Sequence, residues 1–135
     1  MNKLFIFLFL VILPNSGSAQ IELDKIAHIE SSGNPDAIGD KGNSVGLYQI
    51  SRGLLRDFNR AHGTDYFHVE MRSPDIAERV ANWAFSSYFP AILKGMDKKV
   101  TLERLIVCYS AGCGALDRKK LPLITQKYLK KYFKD

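Results

Sequence analysis

Two regimes of hydrophobic patterning divide the chain. Leu4 to Leu13 is an unbroken run of ten apolar residues behind Lys3, and it exits through Pro14-Asn15-Ser16-Gly17-Ser18-Ala19. A positive start, a short apolar stretch and a small-residue exit are the parts of a secretory signal, with the cut expected after Ala19. Ten residues rise only about 15 Å as a helix, half of the roughly 30 Å hydrocarbon core of a bilayer. The pattern therefore predicts a cleavable signal peptide over 1–19 and a secreted or periplasmic protein. Beyond it, apolar residues recur at helical spacing. Ile21, Leu23, Ile26, Ala27 and Ile29 make one face over 20–30, which Ser31-Ser32-Gly33-Asn34-Pro35 must end.

Residues 36–44 are Gly-rich and aperiodic, with room for a small β-hairpin. A short helix is expected from Val45, and Ser51-Arg52-Gly53 restarts a second one through Leu54, Leu55 and Phe58, closed by His62-Gly63. Ser73-Pro74 is a start signal, a cap followed by proline at the first helical position. The face Ile76, Val80, Trp83, Ala84, Tyr88 follows it, and Pro90 is expected to kink or end that helix. Thr101 opens a helix through Leu102, Leu105, Ile106 and Tyr109, and a last amphipathic piece runs from Thr125 to Phe133. No repeat, linker or low-complexity tract interrupts this. The fold class is all-α, one domain over 20–135.

Composition changes that picture little. The chain has 135 residues and a formal net charge of +5. Loss of Lys3 with the leader reduces the 19 Lys and Arg to 18 against 14 acids, leaving +4. Cys108 and Cys113 are five apart. In a continuous helix their Cα atoms would stand over ~8 Å apart, beyond the ~7 Å limit of a disulfide, so two buried thiols are expected unless Gly112 breaks the helix.

Most chemistry is excluded by what is missing. There is no Gly-x-Ser-x-Gly elbow and no phosphate-binding glycine fingerprint. His28-Ile29-Glu30 lacks the Pro-Cys-x-x-Cys half of a zinc deaminase, so neither metal nor cofactor is expected. The distinctive group is Glu30, a carboxylate on an apolar face at a helix C-terminus. Apolar surroundings and the negative end of the helix dipole both disfavour its charged form, which is the tuning a general acid needs. A solvated helix-end glutamate is the plain alternative.

Three segments in order then carry a resemblance. Glu30-Ser31-Ser32-Gly33-Asn34-Pro35, Gly46-Leu47-Tyr48-Gln49-Ile50 and Tyr109-Ser110-Ala111-Gly112 resemble the motifs of lytic transglycosylase domains of the soluble-lytic-transglycosylase type, related to goose-type lysozyme. That family's pattern begins with Glu-Ser, continues with Gly-Leu-Met-Gln and closes with Tyr-Asn-Ala-Gly; Thr125 and Tyr128 resemble its terminal Thr-x-x-Tyr. The resemblance covers 20–135. Tyr48 stands where the family has Met, setting a rigid aromatic against the sugar, and Ser110 replaces the Asn.

The resemblance implies a lysozyme-like helical domain acting on peptidoglycan. Glu30 alone would serve as acid and then base, cleaving the β-1,4 bond between N-acetylmuramic acid and N-acetylglucosamine with formation of the 1,6-anhydro product. Ser31, Tyr48, Gln49, Tyr109, Ser110 and Tyr128 are implied as substrate-binding residues, Ser31 also by orienting Glu30 and Tyr128 by bonding to it. A muramidase on the same scaffold, using Asp36 or Asp40 as second carboxylate, and a non-catalytic peptidoglycan-binding protein are the alternatives. The implied partners are glycan strands, with a cell-envelope machine as a further candidate; a monomer is expected and nucleic acid is not. The seven Lys and Arg from Arg118 to Lys134 read as a solvated helix face, or as a patch that steers the protein to anionic wall polymers.

Overall fold

Helix α1 (Leu23–Ser31) forms where the first apolar stripe predicts it, burying Ile26 and Ala27 and turning the polar Asp24 and His28 outward. It ends because Ser32 and Gly33 both take the left-handed conformation, at φ 53° and 78°. The structure is a computed structural model and describes residues 20–134; the predicted leader, 1–19, lies outside the described residues.

The Gly-rich stretch folds into a small antiparallel sheet of β1 (Ile38–Gly39), β2 (Ser44–Val45) and β3 (Ile50–Ser51), in that spatial order. Ile38 pairs with Val45 and Val45 with Ile50, while Gly39, Ser44 and Ser51 line up on the other face. The expected hairpin is present and gains a third strand, and the helix expected from Val45 does not form. Gly46 (φ 87°) and Gln49 (φ 51°) are left-handed, and the Gly46 N–H donates to Ala37 O at 2.8 Å, so this stretch is a turn between two strands. Gly46 also admits no side chain, since a Cβ there would stand 2.0 Å from the Met71 carbonyl oxygen.

Ser51 caps α2 (Arg52–His62), its Oγ accepting the Leu54 N–H at 3.1 Å. A 3₁₀ turn over His68–Arg72 then leads to α3 (Pro74–Trp83), the π-helical turn Ala84–Tyr88 and α4 (Phe89–Gly95). Pro90 therefore does not end the helix. The wider π turn just before it relieves the clash of the proline ring with the preceding turn, and the helical path continues to Gly95. Thr101 caps α5 (Leu102–Ala111), and α6 (Leu123–Tyr132) closes the chain. The fold is mostly α with one small sheet.

Helix α5 is central, packing on α4, on α6 and on the 3₁₀ turn Cys113–Asp117. Ile106 and Val107 are fully buried with Ile26, Ile50, Met71, Val80 and Leu93, each side chain contributing about 1.5–3 kcal/mol of hydrophobic stabilisation. At its end the expectation of free thiols fails: Cys108 and Cys113 form a disulfide, with Cα atoms 4.0 Å apart. Gly112, at φ 80° and ψ 147°, breaks the helix and folds Cys113 back beneath Cys108.

Candidate active site

A cleft of about 680 Å³ opens between the sheet and the ends of α1, α5 and α6. Glu30 enters from the last turn of α1, Ser44 and Ser51 from the sheet, Gln49 from the turn between β2 and β3, Tyr109 and Ser110 from α5 and Tyr128 from α6. Five of the predicted side chains, Glu30, Gln49, Tyr109, Ser110 and Tyr128, are thus brought to one place. Burial disfavours the Glu30 carboxylate and raises its pKa from 4.5 to about 7, and the neighbouring Tyr128 hydroxyl partly opposes the shift. The carboxyl is consequently an acid poised near neutral pH.

Its tyrosine neighbours stay protonated. Burial, then the charge of Glu30, raises the pKa of both Tyr109 and Tyr128. The Tyr109 hydroxyl donates to the Tyr48 carbonyl. Tyr128 Oη is buried, faces Glu30, and has no partner at full hydrogen-bond geometry among the described residues. Its closeness to Glu30 is what favours the charged form of that carboxyl.

Two of the predicted substrate-binding residues lie outside the cleft lining. Ser31 Oγ stands 2.8 Å from Leu47 O and 3.0 Å from Ala27 O, fastening the end of α1 to the Gly46–Gln49 turn. The Tyr48 side chain is 6% exposed and packs in the core, so the aromatic that replaces the family's Met is not set against a sugar. Gln49 borders the cleft, but its Nε2 donates to Ala37 O (3.1 Å) and Gly46 O (3.0 Å), leaving only Oε1, which lies against Gly39. Ser110 Oγ lies 3.1 Å from Thr125 Oγ1.

Other lining residues have no signature in the sequence. Asp57 accepts a 2.5 Å hydrogen bond from the Tyr88 hydroxyl and sits 3.5 Å from Arg56 Nε. Asp57 and Tyr88 are 31 residues apart and carry no local signal; only the folding of α2 against the π turn brings them together. Asp40 borders the cleft as well, whereas Asp36 does not.

The model of one family, the Transglycosylase SLT domain, matches residues 12–130. The chain belongs to this family. Comparison with curated proteins and with solved structures returns no match. Membership in the SLT transglycosylases makes peptidoglycan the substrate of the domain and places its action outside the cytoplasm. The cleft that collects the three motifs is its candidate active site. Among the described residues no group of His, Cys, Asp and Glu is arranged to hold a metal ion.

Proposed function

We propose that this SLT domain is a peptidoglycan lytic transglycosylase in which Glu30 is the sole acid and base, exported by the segment 1–19 as a domain spanning 20–135. The observation that supports the reading is Glu30 itself, a half-buried carboxyl in an open cleft with its pKa pushed up to about 7. In its neutral form Glu30 donates a proton to the glycosidic oxygen as the bond to the muramoyl anomeric carbon breaks. The resulting carboxylate takes the proton of the C6 hydroxyl as that oxygen attacks the same carbon. The 1,6-anhydro ring forms, the acid is regenerated, and no water is consumed. The N-acetyl group of the substrate stabilises the positive charge between the two steps, so no protein nucleophile is required.

The Tyr128 hydroxyl serves as the donor that steadies the glycosidic or N-acetyl oxygen beside Glu30, and Tyr109 and Ser110 line the opposite wall. Ser31 and Gln49 act by holding the Gly46–Gln49 turn against α1 and the hairpin. Purified peptidoglycan incubated with the protein should release anhydro-muropeptides, and Glu30→Gln should abolish release. The presence of Asp40 and Asp57 in the same cleft favours a second reading, a muramidase with two carboxylates. Reducing-end products in place of anhydro products would establish it. Binding without any release would leave a peptidoglycan-binding protein.

A further inference from the structure

The small sheet has two faces, and the cleft uses one of them. Gly39, Ser44 and Ser51 look toward Glu30, whereas Ile38, Val45 and Ile50 look the other way, onto the 3₁₀ turn His68–Arg72. Between that face and the turn lies a second recess of about 430 Å³, bordered by Ile38, Val45, Arg52, His68, Val69 and Arg72. Its walls are unusual for a surface with no partner. Ile38 and Val69 are each 58% exposed, and Phe67, just before the turn, is 74% exposed. Arg52 and Arg72 are exposed and form no ion pair or hydrogen bond through their side chains among the described residues. The nearest acid in sequence, Glu70, is engaged in accepting the Phe67 N–H at 2.6 Å. His68 is already committed, its Nε2 lying 2.7 Å from Ile50 O, which fixes the turn to the sheet and makes the recess a rigid one.

We propose that this recess is a docking site for an acidic segment of another protein, in which aliphatic side chains alternate with carboxylates. The two guanidinium groups match carboxylates in charge and in planar geometry. Ile38 and Val69 supply the apolar contact that a sugar or a free anion would not use. A concave site of this size takes one or two side chains and does not suit the flat surface of a bilayer. Strand β1 is also an edge of the sheet, open on one side to an extended partner. The site faces away from the cleft, so docking there leaves Glu30 open and tethers a wall-acting domain to whatever carries the segment. Docking at this face is independent of the chemistry of the cleft.

The test uses a fluorescein-labelled twelve-residue peptide alternating Glu with Leu and Val, and a control with Lys for every Glu. Fluorescence anisotropy with the protein should show binding of the acidic peptide only, weakened by added salt. Arg52→Glu combined with Arg72→Glu should raise its Kd by at least about tenfold. Amide shifts in a ¹⁵N spectrum should concentrate on Ile38, Val45, Val69 and Arg72. Release of wall fragments by the double variant should equal that of the parent, which also shows that the variant is folded. Absence of binding, or binding that the double variant retains, overturns the proposal. Competition by isolated wall stem peptides or by vesicles of phosphatidylglycerol at equal or better affinity overturns it too, by assigning the recess to the wall or to the membrane.

Discussion

Replacement of Glu30 by Gln separates the burial of this carboxyl from its chemistry, because the two effects depend on pH in different ways. The folded protein holds the group at a pKa of about 7 against an ordinary 4.5. Between those values the unfolded chain has released the proton and the folded chain still binds it. Stability therefore falls as pH rises through this window, and the loss is complete above pH 7. At about 1.4 kcal/mol for each tenfold change in proton affinity, the folded state is about 3 kcal/mol less stable at pH 8 than at pH 4 on account of this side chain alone. Gln cannot ionise and keeps nearly the same shape. The variant and the parent should thus melt together at pH 4, and the variant should melt about 10 °C higher at pH 8. Thermal unfolding followed by circular dichroism at half-unit pH steps gives the difference directly, and other titrating groups cancel between the two proteins. Over the same series the variant should lose wall-fragment release by about 10² to 10⁴-fold or more at every pH. The parent's own activity should decline as pH rises through about 7, where the acid loses its proton. A melting difference that stays constant from pH 4 to pH 8 would refute the description of Glu30 as a carboxyl buried at a cost.

Further consequences concern its neighbours and the frame around them. Tyr128→Phe removes the hydroxyl that favours the charged form of Glu30, so the alkaline limb of the pH–activity profile should move to higher pH, while stability changes little because that hydroxyl has no full partner. Reduction of Cys108–Cys113, or Cys113→Ser, should cost about 2 kcal/mol, the entropy of closing so short a loop, and should be read as a drop in Tm with reductant that the serine variant no longer shows. Gly46→Ala forces a methyl into the Met71 carbonyl at a φ of 87°, and should cost at least about 2 kcal/mol in denaturant unfolding and lower wall cleavage with it.

The helices were legible because each buries one stripe against its neighbours, and a single-sided stripe is a periodic signal. Ser51 and Thr101 were legible as helix starts and prove to be caps, each side-chain oxygen accepting an N–H three residues on, whereas Ser73, read as a cap, starts its helix without a side-chain bond. What escaped was fixed by contacts distant in sequence or by backbone twists that composition does not announce. Val45 reads as helix by its neighbours, yet the left-handed Gln49 and the pairing of Val45 with Ile38 and Ile50 make it a strand. Pro90 reads as a kink or an end, and the π turn before it lets the helical path continue. The cysteine spacing argues against a bond only while the helix is continuous, and Gly112 interrupts it. In the cleft, Glu30 stood out through the Glu-Ser motif more than through its place on an apolar face, whereas Asp57 and Tyr88 meet only through a hydrogen bond between α2 and the π turn.

The hydrogen bonds of the cleft also explain why the three motifs occur as a set. The central turn offers its backbone carbonyls to the other two segments: Ser31 of the first donates to Leu47 O, and Tyr109 of the third donates to Tyr48 O. Gln49 closes the same turn from within, through Gly46 O and Ala37 O. The turn is therefore held from α1, from α5 and from the hairpin, and it fixes where the end of α1 presents Glu30. This accounts for the exchange of Met for Tyr at position 48. The interaction used there is the main-chain carbonyl, which any residue provides, and the side chain needs only to fill the core. Position 110 differs in kind, because Ser110 borders the cleft through its own side chain and spends its hydroxyl on Thr125. Of the two departures from the family pattern, the serine is the one that borders the cleft, and Ser110→Asn is the exchange expected to change sugar affinity, measured as a shift in KM for wall fragments.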